Sequence, residues 1–264
     1  MNTQTQSDEK ILVREDGPGY TTLRLNRPQQ FNSLSESLLD ALLRELQSIA
    51  RQPEVRCVVL AAAGKAFCAG HDLREMRATP KLEYYQRLFT HCSRVMQAIR
   101  DVPVPVIARV HGVATAAGCQ LVAACDLAVG STSARFAVSG INAGLFCSTP
   151  SVALSRNVST KRAFDLLVTA RFIDAETAKD WGLINEAVSD DKLDETVLEL
   201  VRTIIAKSPA AIRHGKALFY KQRELDLPEA YALAADVMAH NMMEEDAGEG
   251  IDAFLQKRAA VWKP

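Results

Sequence analysis

Short apolar runs alternate with helical apolar stripes through the first half of the chain, and the pattern then turns almost wholly helical. Ile11 to Arg14 and Tyr20 to Leu25 read as strands joined across Gly17-Pro18-Gly19, a strong hairpin signal. Ser35 suits the N-cap of a helix whose Leu38, Leu39, Leu42, Leu43, Leu46 and Ile49 recur on one face until Pro53 ends it. Cys57 to Ala61 lies in a run that is apolar almost throughout, as in a strand buried on both faces.

The unit then repeats. Leu82 to Arg100 is helical, Pro103-Val104-Pro105 breaks it, and Val106 to Val110 reads as a strand. Asp126 to Gly130 and Arg135 to Val138 are further short strands around Ser131-Thr132-Ser133, and Ile141 to Pro150 reads as a loop. From there the helical spacing covers Ser151 to Asn157, Arg162 to Thr169, Ala175 to Trp181, Leu193 to Ala206, Ala210 to Leu225, Ala230 to Met243 and Glu249 to Val261. Asp174 and Ser208-Pro209 are good helix starts. Strand and helix units followed by successive helices predict an α/β architecture, with a core over residues 1–200 and a helical extension over 201–264. The apolar residues of the last helices, among them Tyr231, Leu233, Val237, Met238, Phe254 and Leu255, fit either the chain's own core or a second subunit.

Composition narrows the function. A chain of 264 residues can bury a substantial core without disulfides. Its net charge of -1, with both signs interspersed, gives no footprint for nucleic acid or an anionic membrane. No apolar run approaches a transmembrane helix, and Met1 to Lys10, with Asp8 and Glu9, reads as neither signal nor transit peptide. The six cysteines form no C-x-x-C pair and read as reduced thiols of a cytoplasmic protein. Cys119 and Cys147 read as buried small hydrophobes, with a place in a pocket wall as the alternative. The five histidines are dispersed, so no metal site is expected.

Two stretches carry candidate chemistry: Ala66-Phe67-Cys68-Ala69-Gly70-His71-Asp72-Leu73, and Val113-Ala114-Thr115-Ala116-Ala117-Gly118-Cys119-Gln120. Each puts small residues where backbone N–H groups could be exposed, and two such groups can hold one oxyanion. A helix starting at Ala117 adds unpaired N–H groups at the positive end of its dipole. Ordinary turn chemistry explains either stretch taken alone.

Placed after strands, the two turns resemble those of the enoyl-CoA hydratase/isomerase, or crotonase, superfamily. The likeness extends to Leu25-Asn26-Arg27-Pro28 with Asn32-Ser33-Leu34, to Pro105 through Cys125-Asp126, to Ala175 through Leu183, and to Glu249-Gly250-Ile251 through Lys257-Arg258. It implies a spiral of ββα units, a C-terminal helical region used in trimerisation, and a homotrimer or a homohexamer of two trimers. It also implies an acyl-CoA thioester as substrate, with coenzyme A brought in by that substrate and no separate cofactor. The oxyanion donors would be the N–H groups of His71 and Ala117, with Ala69, Gly70, Asp72, Leu73 and Gly118 around the bound thioester. The His71 side chain reads as an exposed turn residue that contacts the coenzyme or orients the loop through Asp72. Arg27 matches a position near the coenzyme, with an exposed strand-end arginine as the equal alternative. Lys216 and Lys221 lie on a segment that encloses the adenine and phosphates in relatives, or else on a solvated basic face.

The pattern breaks at the acids. Hydratases of this superfamily use two glutamates, and the matching positions hold Gln120 and Gly140; a third carboxylate position, used by some isomerases, falls at Ser148. No Asp or Glu occurs between Asp126 and Asp165, so a small shift of register does not supply one. Gln120, Asn142, Ser148 and Thr149 remain to position water, or Ser148 and Thr149 simply cap a helix. The expectations are an enolate-stabilising acyl-CoA enzyme, a non-catalytic acyl-CoA binder, or a decarboxylase or thioester hydrolase.

Overall fold

The computed structural model describes residues 10–263; the polar opening segment, save its last residue Lys10, lies outside them. The hairpin forms as β1 (Leu12–Gly17) and β2 (Tyr20–Leu25), paired antiparallel from Leu12 with Leu25 to Gly17 with Tyr20. Helix α1 (Glu36–Ile49) starts where Ser35 accepts a hydrogen bond from the Leu38 amide. It lays Leu38, Leu39, Leu42, Leu46 and Ile49 against the sheet. Strand β3 (Cys57–Ala62) is buried at every residue. Its alternate side chains serve two cores: Val58, Leu60 and Ala62 join the α1 side, while Cys57, Val59 and Ala61 face the other way.

The second unit runs through α2 (Leu73–Ala78), α3 (Leu82–Asp101), β4 (Val106–Val110), β5 (Val113–Thr115), α4 (Ala117–Ala124), β6 (Leu127–Ser131) and β7 (Arg135–Ala137). After it come α5 (Ser148–Leu154), α6 (Thr160–Thr169), β8 (Ile173–Asp174), α7 (Ala175–Asp180) and β9 (Glu186–Val188). The chain closes with α8 (Leu193–Ile205), α9 (Pro209–Gln222), α10 (Leu227–Met242) and α11 (Glu245–Leu255). Six strands form one sheet in the order β1-β2-β3-β4-β6-β9, parallel except for the first pair; β5, β7 and β8 form a second. This is the mixed α/β fold that the alternating pattern predicts.

Three strands escape the sequence pattern. β5, β8 and β9 are only two or three residues long, too short for a period of two, so the region after Pro150 is not wholly helical. The stretch Ile141 to Pro150 is not a plain loop either: a 3-10 turn covers Ser139–Ala143, and α5 begins at Ser148. The last helix starts four residues earlier than its spacing suggests and ends before Lys257, whose φ of 55° lies in the left-handed region. The expected boundary at residue 200 falls inside α8, which packs Leu193, Val197 and Val201 on the second face of the sheet. Beyond it, α10 buries no residue, and Tyr231, Met238, Phe254 and Leu255 are each more than 70% exposed.

Candidate active site

Strands β3 and β4 are parallel, so the chain leaves both at the same edge, where open α/β sheets place their ligand crevices. The two small-residue turns follow, β5 leading directly into the second. They are stitched together by backbone: Cys68 donates to Val113 (3.1 Å) and Thr115 donates to Cys68 (3.0 Å). The approach is so close that only glycine fits at two positions. A methyl built on Gly118 would lie 2.1 Å from the Cys68 carbonyl oxygen, and one built on Gly70, at φ 96°, would lie 2.9 Å from the Ala116 Cβ.

Each candidate oxyanion donor is left free by its neighbours' bonds. Leu34 pairs with the first turn in parallel fashion: its amide donates to the Gly70 carbonyl (2.8 Å) and its carbonyl accepts from Asp72 (3.1 Å). In extended backbone successive N–H groups alternate, so the His71 N–H points away from Leu34. The Ala117 N–H opens α4 and has no intrahelical acceptor. Neither amide donates to an acceptor among the described residues. The turn before Ala117 is set by Ala116, at φ 50° and ψ -121°, whose amide donates to Ala137 (3.1 Å). Such a backbone costs a non-glycine residue about 1–3 kcal/mol. Ala116→Gly is therefore expected to stabilise the fold by about 1 kcal/mol after the added freedom of the unfolded chain is subtracted, raising the melting temperature by about 2–4 °C in a thermal melt.

The first turn is clamped from the β2 end. Arg27 donates through Nη2 to Asp72 Oδ2 (2.9 Å) and through Nη1 to the Ser33 carbonyl (2.6 Å). Its amide donates to Asn32 Oδ1, while Asn32 Nδ2 holds the Ala63 and Ala66 carbonyls. Asp72 also caps α2 by accepting from the Arg74 amide, and these bonds hold its carboxyl below the usual range against the opposing effect of burial. Of the two readings of Arg27, the exposed strand-end arginine is the one corrected: its side chain is 16% exposed and its guanidinium is engaged inside the chain. Leu73, by contrast, is 61% exposed beside the turn, and the Ala69 amide donates a hydrogen bond to the Phe31 carbonyl (3.0 Å).

The His71 ring is not the exposed turn side chain that the sequence suggests. It meets Phe89 of α3 edge-on, with ring centroids 5.5 Å apart, and both ring nitrogens are buried without a partner among the described residues. Burial pushes its pKa down from 6.5 to about 4. The unfolded chain therefore binds more protons than the folded one between these values. His71's contribution is fully present above pH 6.5 and is lost as pH falls through about 4, a change of about 3 kcal/mol. Thermal melts should fall steadily between pH 7 and 5, with His111, also lowered by burial, adding in the same direction. His71→Phe, which has nothing to titrate there, should flatten that slope; an unchanged slope overturns the assignment.

Gln120 lies one turn along α4 from Ala117 and thus on the same face. It is 4% exposed, and its Oε1 is buried without a donor among the described residues. Ser139 Oγ hydrogen-bonds Thr115 Oγ1 at 2.7 Å, which ties the Ser139–Gly140 turn to β5 next to Ala116. No side chain would fit at Gly140: a methyl there would lie 2.5 Å from Cys147 Sγ and 2.6 Å from the Leu145 carbonyl oxygen. Cys147 thus fills the space beside Gly140, in keeping with its reading as a buried small side chain. Burial raises its thiol pKa and pushes those of Cys68 and Cys119 up to about 12, so these are poor nucleophiles. Ser148 is exposed and donates to the Phe146 carbonyl (3.3 Å), a bond at the start of α5; Asn142 is exposed and Thr149 half-buried.

Lys216 is corrected as well. It is buried in an ion pair with Asp126 (2.7 Å) and also donates to the Ile99 and Val104 carbonyls, so it fastens α9 to the body and is not available to phosphates. Lys221 is exposed on the same helix. A cavity of about 490 Å³ bordered by Arg51, Arg56, Arg213 and Asp246 lies among other elements and contains none of the turn residues. Among the described residues no group of three or more His, Cys, Asp or Glu could hold a metal ion, and no helix is long and apolar enough to cross a membrane.

Known proteins resemble this chain over nearly its whole length. The rat "Enoyl-CoA hydratase domain-containing protein 3, mitochondrial" is 40% identical over 257 residues, 97% of this chain and 86% of its own length. The crystal structure of an enoyl-CoA hydratase from Mycobacterium smegmatis superposes with a TM-score of 0.95 at 58% identity, covering 96% of this chain and 99% of that one. That of human enoyl Coenzyme A hydratase domain-containing protein 3 gives 0.93 at 42%, covering 96% and 100%. With the enoyl-CoA hydratase/isomerase family model matching residues 17–264, the chain belongs to that family.

Proposed function

We propose that the chain binds an acyl-CoA thioester with its carbonyl oxygen between the N–H groups of His71 and Ala117 and stabilises the enolate formed from it. The observation that carries this reading is the pair of free amides on turns held in backbone contact. A thioester oxygen gains charge as its α-carbon loses a proton, and each fixed donor in such a site contributes about 3 kcal/mol. Gly70 and Gly118 let the two turns approach each other and so bring the donors together, while Ala69, Asp72 and Leu73 shape the first turn.

Efficient hydration is not part of the proposal. A placed acid or base contributes about 10²- to 10⁴-fold, and neither Gln120 nor Gly140 can transfer a proton. The packing of Cys147 against Gly140 favours a second reading, an acyl-CoA binder without turnover, because the place of that side chain is closed. Crotonyl-CoA tests both. Binding with slow loss of its conjugated-thioester absorbance supports the enolate reading, and binding with none supports the binder. Hydration at rates typical of well-equipped hydratases overturns both, and release of carbon dioxide or free coenzyme A from a thioester panel identifies a decarboxylase or hydrolase.

The exposed apolar face of α10 and α11 supports assembly as a homotrimer or a homohexamer. Six buried, unpaired thiols support a reducing compartment, and the cytoplasm is the proposed one, although the name of the rat relative reads mitochondrial.

A further inference from the structure

The segments that lead into the two donor-bearing turns run side by side from Gly64 and His111 onward. A methyl on Gly112, at φ 60°, would lie 2.1 Å from the Lys65 carbonyl oxygen, and just beyond it Cys68 bonds to Val113 and Thr115. The first rung of this ladder is a side chain. His111 Nε2 lies 2.9 Å from the Gly64 carbonyl oxygen, and its Nδ1 lies 3.1 Å from Arg109 Nη1. A carbonyl only accepts and a guanidinium only donates, so Nε2 carries the proton and Nδ1 offers its lone pair. Only the neutral ring can make both bonds.

Arg109 is itself fixed by Asp194 of α8, through Nε (2.5 Å) and Nη2 (3.2 Å), so it cannot swing aside without giving up that pair. Arg24 of β2, paired with Glu15 of β1, adds a second positive charge, and Asp194 and Asp190 are the opposing negative ones. From β7, the Arg135 guanidinium is occupied by the Thr132 and Ala134 carbonyls, while Lys65 beside Gly64 is exposed. Burial, with Arg109 and Arg24 behind it, holds the His111 pKa below its usual range against the Gly64 bond and Asp194. A proton added at Nδ1 removes the acceptor of Arg109 and sets an imidazolium against a guanidinium 3.1 Å away. The ring then gives up its place, and the Gly64 carbonyl loses its donor. We infer that His111 is a positioning residue, a neutral pin between Arg109 and the Gly64 carbonyl whose protonation loosens the two turns and weakens thioester binding as pH falls. This rests on the reading that the thioester carbonyl sits at the His71 and Ala117 amides.

The test is calorimetric binding of butyryl-CoA to the full chain at pH 7 and pH 5, in wild type, His111→Leu and His111→Gln. Between the two conditions the wild type should lose at least about threefold more affinity than His111→Gln, whose amide keeps a donor and an acceptor and does not titrate. The thioester's phosphates titrate near about pH 6 and His71 lower still, but both do so alike in the two proteins. At pH 7 His111→Leu should bind about tenfold more weakly than wild type, and His111→Gln should recover most of that loss. Equal pH dependence in wild type and His111→Gln overturns the inference while leaving the thioester reading intact, and so does full affinity in His111→Leu. Failure of the wild type to bind at pH 7 overturns the thioester reading, and the inference with it. Nitrogen-15 NMR of the wild type decides the matter even where a variant does not fold. The His111 ring should be the Nε2–H tautomer, and saturating butyryl-CoA should lower its pKa further, because binding and protonation oppose each other reciprocally. An Nδ1–H tautomer, or a pKa that the thioester leaves unmoved, overturns the inference.

Discussion

Gly118→Ala is expected to abolish thioester binding and to lower the melting temperature by about 6–12 °C, the equivalent of about 3 kcal/mol in a chain of this size. The added methyl would lie 2.1 Å from the Cys68 carbonyl oxygen and 2.7 Å from its carbon, well inside contact distance. Both partners are main chain, so no rotamer change relieves the clash. Either α4 retreats or the Cys68 strand does, and the Cys68 carbonyl already accepts the Thr115 amide that joins the turns. Movement of either element separates the His71 and Ala117 donors, so affinity should fall further than stability alone implies. Calorimetry with butyryl-CoA beside a thermal melt checks this. A variant that melts within about 2 °C of wild type and binds equally well would show that the turns do not meet as described.

Lys216→Met should destabilise the chain by about 3–5 kcal/mol, lowering the melting temperature by about 6–20 °C. Asp126 loses its cation while remaining 13% exposed at the side chain, held by the Val106 amide (2.7 Å) and the Tyr220 hydroxyl (2.7 Å). A buried carboxylate stripped of its partner carries its desolvation penalty uncompensated, so the damage exceeds the worth of the pair. The double variant Lys216→Met with Asp126→Asn removes the stranded charge and should be more stable than Lys216→Met alone. Thermal or urea unfolding of the wild-type chain, each single variant (Lys216→Met and Asp126→Asn) and the double variant measures this. A single variant within about 1 kcal/mol of wild type would mean that the pair is not closed to water.

Most of the site's backbone is legible in the sequence, and most of its side-chain partnerships are not. The run from Ala66 to Leu73, the start of α4 at Ala117 and the absence of carboxylates at positions 120, 140 and 148 all follow from local order. Turn and cap chemistry acts over three or four residues and leaves its signature there. Arg27 meets Asp72 across 45 positions and Lys216 meets Asp126 across 90, and nothing near Arg27 or Lys216 says that the charge is already engaged. A solvated basic face and a buried latch look alike until the opposite element is in place.

By itself, the sequence determined an α/β chain with two small-residue turns after strands, and no carboxylate at positions 120, 140 and 148. Those features depend on residue type and period, which the chain carries with it. Only the tertiary structure decided that Cys147 closes the space at Gly140, that His71 is sealed against Phe89 with both nitrogens unpaired, and that Arg27 and Lys216 are fasteners. Each of these is a contact between elements far apart in the chain. Burial and charge pairing are properties of that meeting, not of either segment alone.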